Sequence, residues 1–167
     1  DMAIHSFDQA RFLSGKDPVS VYAHEWNPEG SWYDHGASAQ VIFEMSDGVV
    51  FNYRGSWCAE GLNTSWECDW RVQASKGSAT WNGGKEMHAQ RVIESDDWTR
   101  KCEDIEIPAT EPLAHTGHDA LIREFIDCIA NGTTPQTICS DNYKSLQMVH
   151  AAIQSAESGQ KVLINTL

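Results

Sequence analysis

Hydrophobic and polar side chains alternate with a period of two through much of the first two-thirds of the chain, a pattern typical of β-strands. The segment VSVYAHEW at 19–26 alternates first. The clearest hairpin covers 37–57, where two alternating runs flank a Ser-Asp-Gly turn at 46–48. Aromatic and acidic residues alternate again over 66–72, which predicts another strand. Further short strands are predicted at 78–83, 88–93 and 104–108.

Other segments carry apolar residues at helical spacing. The chain opens with a helix that ends at Gly15, and the segments at 115–132 and 140–159 predict two more helices. The inward positions of these later helices are predicted to be Leu121, Ile122, Phe125, Ile126 and Ile129, followed by Leu146, Val149, Ile153 and Ala156. Residues 161–164 are expected to return to the sheet as an edge strand.

Together these elements predict an α+β fold with one open, mostly antiparallel (mixed) sheet of about six strands and helices on one face. A chain of 167 residues fits a single domain, 1–167. The second face of the sheet either contacts water or pairs with a second copy. The periodicity of the sequence does not distinguish a solvated face from one that pairs with a second copy.

Composition narrows the possible partners. The 24 acids outnumber the 12 Lys and Arg residues, so a net charge of −12 opposes binding to nucleic acid or to anionic membrane surfaces. Apolar runs stay well below the roughly 20 residues of a membrane span. The five cysteines form no CxxC pair, which favours a reducing, cytoplasmic location without disulfides or a zinc knuckle.

Several common catalytic and binding motifs do not occur in the sequence. It contains no GxGxxG, GxxxxGK[ST], GxSxG or HExxH, so this chain is not expected to bind a dinucleotide by itself. His115 and His118 have a spacing that suits a metal, but no third ligand is near them in sequence. We therefore expect no metal site, with His118 in the first turn of a helix.

The opening helix carries a candidate for acid-base chemistry. Asp1, His5 and Asp8 follow an i, i+4, i+7 pattern and share one face. A histidine between two carboxylates can act as a general acid or base near neutral pH. The same pattern is also that of an exposed, acid-flanked helix face, and spacing leaves both open. The apolar stripe of this helix is predicted to be Ala3, Phe7, Ala10 and Leu13.

Both ends of the chain resemble one enzyme family. The opening DMAIHSFDQARFLSG resembles the D-x-G-x-H-x-x-D-x-x-x-x-L-x-G stretch of the Gfo/Idh/MocA oxidoreductases, the family of glucose-fructose oxidoreductase and inositol dehydrogenase. The closing helices, with NGTTP at 131–135 and SAESGQKV at 155–162, are similar to those of the same family. The middle segment GVVFNYRGSW also looks like the family's sheet. Ala3 replaces the usual glycine of the opening motif.

The resemblance implies that this chain is the C-terminal half of such an enzyme. Family members carry an N-terminal Rossmann domain that binds NAD or NADP and bears a catalytic lysine in an E-K-P motif. This chain has neither that motif nor the glycine fingerprint and begins at Asp1 without methionine, so that domain is expected to be absent from it. No cofactor is then expected to bind here. The resemblance also implies a homo-oligomer built through the open face of the sheet.

The implied activity is hydride transfer between NAD(P) and a sugar, inositol or related polyol. His5 would accept or donate the hydroxyl proton, and Asp1 would orient His5 or bind substrate hydroxyls. Asp8 is expected to serve packing or capping. Candidate substrate-binding residues, chosen by side-chain type, are Trp32, Tyr33, His35, Arg54, Trp57 and Trp66. Without its Rossmann domain the chain is expected to be inactive. The alternatives are a non-catalytic sensing or scaffold member of the family, or an independent α+β binding module.

Overall fold

Three helices and eight strands make up the part of the chain that the structure describes, residues 2–93, 98–109 and 111–165 of a computed structural model. The helices are α1 (Ala3–Ser14), α2 (Gly117–Asn131) and α3 (Cys139–Ser158). The strands are β1 (Pro18–Trp26), β2 (Ser38–Met45), β3 (Val50–Ser56), β4 (Trp70–Ala74), β5 (Gly77–Trp81), β6 (Met87–Val92), β7 (Cys102–Asp104) and β8 (Val162–Leu163).

The strands form two separate four-stranded sheets. Sheet A has the order β3-β2-β1-β8, and sheet B has the order β4-β5-β6-β7. Every neighbouring pair is antiparallel. The predicted α+β class and the antiparallel pairing are confirmed. The sequence predicted one sheet of about six strands, whereas the structure has two sheets of four. The number of sheets differs because period-two alternation identifies strands but not which strands pair.

The chain divides into two compact units that follow this separation. The first unit is Asp1–Glu60 with Gly117–Leu167, and the second is Gly61–Thr116. The first unit holds sheet A and all three helices, and the second holds sheet B. The assignment of 1–167 to a single domain stays a prediction.

Sheet A has one face toward the helices and one face toward solvent. Val21, Val41 and Phe43 are buried, whereas Tyr22 and Ile42 between them are exposed. The pairing of β1 with β2 places these two sets on opposite faces, since neighbouring side chains in a strand alternate. The helix-covered face that the sequence predicts is therefore present in sheet A.

Helix α1 packs on that face through Phe7. The Phe7 ring meets the ring of Phe43 edge-on, with centroids 4.8 Å apart and planes at 72°. It makes similar contacts with Phe51 at 6.2 Å and Tyr53 at 5.3 Å. Edge-to-face contacts of this kind add to the hydrophobic gain of burial. Leu13, predicted to be buried, is half exposed, and Arg11 is buried instead.

Helix α3 packs beside α1 through a face of small residues. Its buried residues are Ser145, Met148, Ala151, Ala152 and Ser155. Ser155 Oγ accepts a hydrogen bond from the main-chain N–H of Ala23 in β1, at 2.9 Å. The predicted inward positions Leu146 and Ile153 are exposed instead. Small side chains allow the helix to approach the strand closely, and a hydrophobicity pattern gives them too little weight.

Helix α2 forms where the pattern predicts it but is not buried as predicted. Its apolar side chains Leu121, Ile122, Phe125, Ile126 and Ile129 are all 55% to 69% exposed. No residue of α2 is buried within the described part of the chain. Periodicity therefore gives the apolar face of this helix correctly, but it does not provide the partner that would cover that face.

Sheet B departs from the predicted strands at both ends. The predicted strand at 66–72 begins only at Trp70, because residues 66 and 67 form a turn and Cys68 has a left-handed φ of 65°. The strand predicted at 104–108 lies at 102–104. Gly77 begins β5, where a Cβ atom would collide with the carbonyl oxygen of Gln90 in β6. Glycine is required there by close backbone approach.

Phe43→Ala should destabilise the first unit by about 3–5 kcal/mol, because it leaves a cavity under Phe7. The matched control is Ile42→Ala in the same strand, since Ile42 is 50% exposed and Phe43 is 0% exposed. Urea unfolding followed by circular dichroism at one protein concentration measures both. Equal losses for the two variants would contradict the assignment of the two faces.

Candidate active site

Helix α1 runs along sheet A, and the direction of the helix determines at which end of the sheet its first turn lies. The helix ends at Gly15, whose φ of 63° is left-handed, and the chain then enters β1. The N–H of Ser46 donates to the carbonyl of Asp17 at 2.8 Å, so the end of α1 lies at the β2–β3 turn. Phe7 lies further along, over Phe51 and Tyr53. The first turn is therefore directed toward the opposite end of the sheet, where β1 ends.

His5 is exposed in this first turn, on the side of α1 opposite its buried residues. Its main-chain N–H donates to the carbonyl of Met2, three residues back, at 3.2 Å, which closes the first turn of the helix. Asp1 lies outside the described residues, so its pairing with His5 stays a prediction. An exposed imidazole on a helix that packing holds in place can meet a substrate without moving the backbone.

Asp8 turns toward α3 and is joined to it by hydrogen bonds. Its Oδ1 accepts from Ser145 Oγ at 2.6 Å and from Arg11 NH1 at 3.4 Å. The expectation of a packing role for Asp8 agrees with these contacts. His5 and Asp8 therefore face different surroundings, although both lie on the polar side of the helix.

Arg11 is a charged residue that the sequence analysis missed. Its side chain is 7% exposed, and its guanidinium donates to Asp141 at 2.7 Å and to Ser145 at 2.8 Å. The hydrogen bond from Arg11 holds the pKa of the Asp141 carboxyl below its usual value, against the opposing effect of burial. The sequence signal is the three-residue spacing of Asp8 and Arg11, matched by a four-residue spacing of Asp141 and Ser145.

Aromatic side chains gather at the end of sheet A toward which the first turn of α1 is directed. Trp32 and Tyr33, in the loop between β1 and β2, stack with centroids 4.0 Å apart. Trp26 ends β1, and Trp57 directly follows β3. Main-chain hydrogen bonds from Ala37 to Trp26 at 3.1 Å and from Trp57 to Ala37 at 2.8 Å join these segments. Trp26, which the sequence did not predict, is in register with Tyr22 and His24 on the face that α1 does not cover and stacks on His24 at 5.7 Å, so its side chain lies away from His5.

The other predicted binding residues lie elsewhere. Arg54 is exposed on the face of sheet A that α1 does not cover, since its neighbour Tyr53 points to Phe7. The structure thus places Arg54 and His5 on opposite sides of the sheet. His35 is exposed in the β1–β2 loop, and Trp66 belongs to the second unit.

Among residues 2–93, 98–109 and 111–165, no group of three or more His, Cys, Asp or Glu side chains is placed to hold a metal ion. In the same ranges no helix is long and apolar enough to cross a membrane.

Asp141→Asn should make the free energy of unfolding of the first unit depend less on pH in the acidic range. A lowered pKa means that the folded state favours the charged carboxylate, so its contribution is complete above about pH 4 and is lost as pH falls through the lowered pKa. Urea unfolding between pH 6 and pH 3 should show the wild type losing its advantage over the variant toward pH 3. Asp127→Asn, an exposed carboxyl on α2, is the control. A constant difference between wild type and Asp141→Asn would contradict the expectation.

Comparison with known proteins identifies relatives along the whole chain. The family model described as the oxidoreductase family, C-terminal alpha/beta domain, matches residues 1–164. The uncharacterized protein y4oX of Sinorhizobium fredii (strain NBRC 101917 / NGR234) is 27% identical over 165 residues, which are 97% of this chain and 45% of that protein.

Solved structures share the fold at low sequence identity. Aldose-aldose oxidoreductase from Caulobacter crescentus, complexed with glycerol, is 20% identical with a TM-score of 0.72, covering 96% of this chain and 45% of its own. Levoglucosan dehydrogenase, in complex with NADH and L-sorbose, is 20% identical with a TM-score of 0.73. The match covers 100% of this chain and 50% of the dehydrogenase chain. An oxidoreductase from Agrobacterium radiobacter, in complex with NAD+, L-tartaric acid and magnesium, is 19% identical with a TM-score of 0.74, covering 98% and 48%.

These matches establish the family and the extent of the likeness. The chain spans about half the length of the relatives it matches. Because the family model covers residues 1–164, the resemblance is not confined to the opening and closing motifs. This chain belongs to the Gfo/Idh/MocA oxidoreductase family and corresponds to its C-terminal alpha/beta domain.

Proposed function

We propose that this chain is the substrate-binding domain of an NAD(P)-dependent oxidoreductase that acts on a sugar, inositol or related polyol. The observation that carries the proposal is the exposure of His5 in the first turn of α1, the turn that is directed toward the aromatic end of sheet A. The bound molecules of the structural relatives support the substrate class, since one holds L-sorbose with NADH and another holds glycerol.

His5 acts as the proton acceptor when a carbinol is oxidised. A bound NAD(P) would supply the hydride acceptor for the substrate's C–H bond, and the hydroxyl proton would go to a ring nitrogen of His5. The carbon–oxygen single bond becomes a carbonyl, and the imidazole becomes an imidazolium. In the reverse direction, His5 returns the proton to the alkoxide. Asp1 orients the His5 ring or binds a substrate hydroxyl.

The aromatic residues at the end of sheet A provide a surface for the carbon skeleton of the polyol. Trp32, Tyr33 and Trp57 offer apolar ring faces, which suit the C–H faces of a sugar, while hydroxyls take hydrogen bonds from polar neighbours. His35 and Trp66 stay candidates by side-chain type. Arg54 lies on the uncovered face of sheet A, where it suits contact between copies of the protein and not binding of the polyol.

Cofactor binding belongs to another part of the full-length protein. A pyrophosphate is bound by a glycine-rich turn that opens a helix, and this sequence contains no such motif. We therefore assign NAD or NADP to a Rossmann domain outside this chain and expect residues 1–167 to be inactive by themselves. The five free cysteines support a reducing, cytoplasmic compartment.

The uncovered face of sheet A is proposed to join copies into a homo-oligomer. Tyr22, Ile42 and Val50 are exposed there together with Leu163 of β8. An apolar sheet face of this kind is unusual on the surface of a monomer. Arg54 and Gln40, paired across β2 and β3, would form the polar part of the contact.

His5→Ala in the full-length protein should lower kcat/KM for polyol oxidation by about 10²- to 10⁴-fold, the usual contribution of a general base. Initial rates with a panel of sugars and inositols, each with NAD and with NADP, measure this loss. His118→Ala, which removes a histidine from α2, is the matched control and should keep wild-type rates. Wild-type turnover by His5→Ala would remove His5 from the mechanism.

Ile42→Arg should lower the oligomeric state, because it places a charge in the centre of the uncovered face of sheet A. Analytical ultracentrifugation of the full-length protein measures the mass. Leu62→Arg is the control, since Leu62 is likewise an exposed apolar residue but lies in the second unit. An unchanged mass for Ile42→Arg would show that oligomers do not form through this face.

A further inference from the structure

The strongest unexplained feature of the first unit is the buried charge network around Arg11. A guanidinium is rarely buried unless most of its donors are satisfied, because its removal from water is costly. Arg11 is 7% exposed and its Nε–H has no partner among the described residues, yet its ion-pair partners Asp8, Asp17 and Asp141 are each close to half exposed. The network therefore reaches from a buried cation to the protein surface.

The contacts of Arg11 join α1 to α3 in a defined geometry. NH2 donates to Asp141 Oδ1 at 2.7 Å and NH1 to Asp141 Oδ2 at 3.4 Å, a two-pronged arrangement. NH1 also donates to Ser145 Oγ at 2.8 Å, and this hydroxyl donates to Asp8 Oδ1 at 2.6 Å. A planar guanidinium fixes the direction of its partners, which a lysine ammonium does not do.

Two sets of contacts hold α1. Phe7 packs on sheet A, whereas Asp8 and Arg11 bond to α3. Contacts to the sheet set the distance of the helix from it, and contacts to α3 restrict rotation about the helix axis. Asp8 is three residues after His5, so the network reaches within one helical turn of the proposed base.

A third contact extends the network to the connection between α1 and β1. Lys144 of α3 donates to both carboxylate oxygens of Asp17 at 2.8 Å, and Arg11 NH2 lies 3.9 Å from Asp17 Oδ1. The segment that runs from Asp8 in α1 to Asp17, just beyond the helix, is thereby tied to α3 at both ends. The first turn of α1 projects beyond this segment and carries His5.

We propose that Arg11 is a positioning residue that fixes the rotation of α1 and thereby the direction of the His5 imidazole. The inference rests on the proposed role of His5 as the proton acceptor. A small rotation of α1 moves an exposed side chain by an ångström or more, and misplacement on that scale can cost about a hundredfold in rate. Arg11, at 7% exposure, acts through His5 and not on the reacting atoms.

The variant Arg11→Met tests the proposal, because methionine keeps much of the buried volume and removes the guanidinium. In the full-length protein kcat for polyol oxidation should fall about tenfold to a hundredfold, while KM for NAD(P) stays unchanged. Arg11→Lys should recover only part of this loss, since an ammonium lacks the planar fork. Arg123→Met is the control, because Arg123 forms an exposed ion pair with Asp119 in α2.

A double-mutant cycle separates positioning from general destabilisation. If Arg11 acts through His5, Arg11→Met should have almost no further effect in a His5→Ala background. Loss by the same factor in both backgrounds would overturn the proposal, because a merely structural role affects both alike. Urea unfolding verifies that each variant is folded at the assay temperature. If Arg11→Met does not fold, Asp141→Asn replaces it in the cycle with the same expectations, since Asp141 is half exposed.

The cycle also distinguishes failure of this inference from failure of the proposed function. Wild-type activity of His5→Ala would remove the base itself, and the positioning role would fall with it. An impaired His5→Ala together with wild-type kcat for Arg11→Met would retain the base and refute positioning alone.

Discussion

The packing of Phe7 against sheet A is the contact on which the rest of the first unit depends. Phe7 meets Phe43, Phe51 and Tyr53 edge-on and brings α1 down onto the sheet. Only with the helix at this distance is Arg11 removed from water, and only then does its ion pair with Asp141 have more than the small value of a surface salt bridge. The apolar contact thus precedes the polar one in importance, although the polar one is more specific.

The first unit divides two tasks between its two kinds of contact. Apolar packing is tolerant of small shifts, because dispersion and burial have no preferred direction. Hydrogen bonds from a planar guanidinium have a preferred direction and tolerate little change in angle. A helix that presents a reactive side chain needs both, since distance alone would leave its rotation free. Phe7, packed on the sheet, and Arg11, one turn further along α1 and bonded to α3, together meet this need.

Local periodicity predicted the elements of sheet A well, because β1, β2 and β3 alternate and a turn with positive φ at Asp47 and Gly48 joins two of them. It failed at residues 66–69, where the same alternation occurs in a segment that Cys68 turns into the left-handed region. A pattern of side chains cannot reveal a backbone reversal that no glycine or proline marks.

The candidate site was predictable only in part. His5 was singled out by its position in a motif, and the aromatic residues by type. Arg11 was missed because a charged residue is normally assigned to the surface, and its partners in α3 lie 130 and 134 residues further along the chain. The sequence predicts such a contact only if the spacing of Asp8 and Arg11 in α1 is considered together with the spacing of Asp141 and Ser145 in α3.

Helix α2 has a consequence for how the protein acquires its structure. Isolated helices of about 15 residues are marginal in water, and most helices in proteins are stabilised by burying an apolar face. The described residues of this chain leave that face of α2 exposed. Among the described residues α2 therefore gains the least stability from packing, and its helicity should respond most to any surface that covers this apolar face.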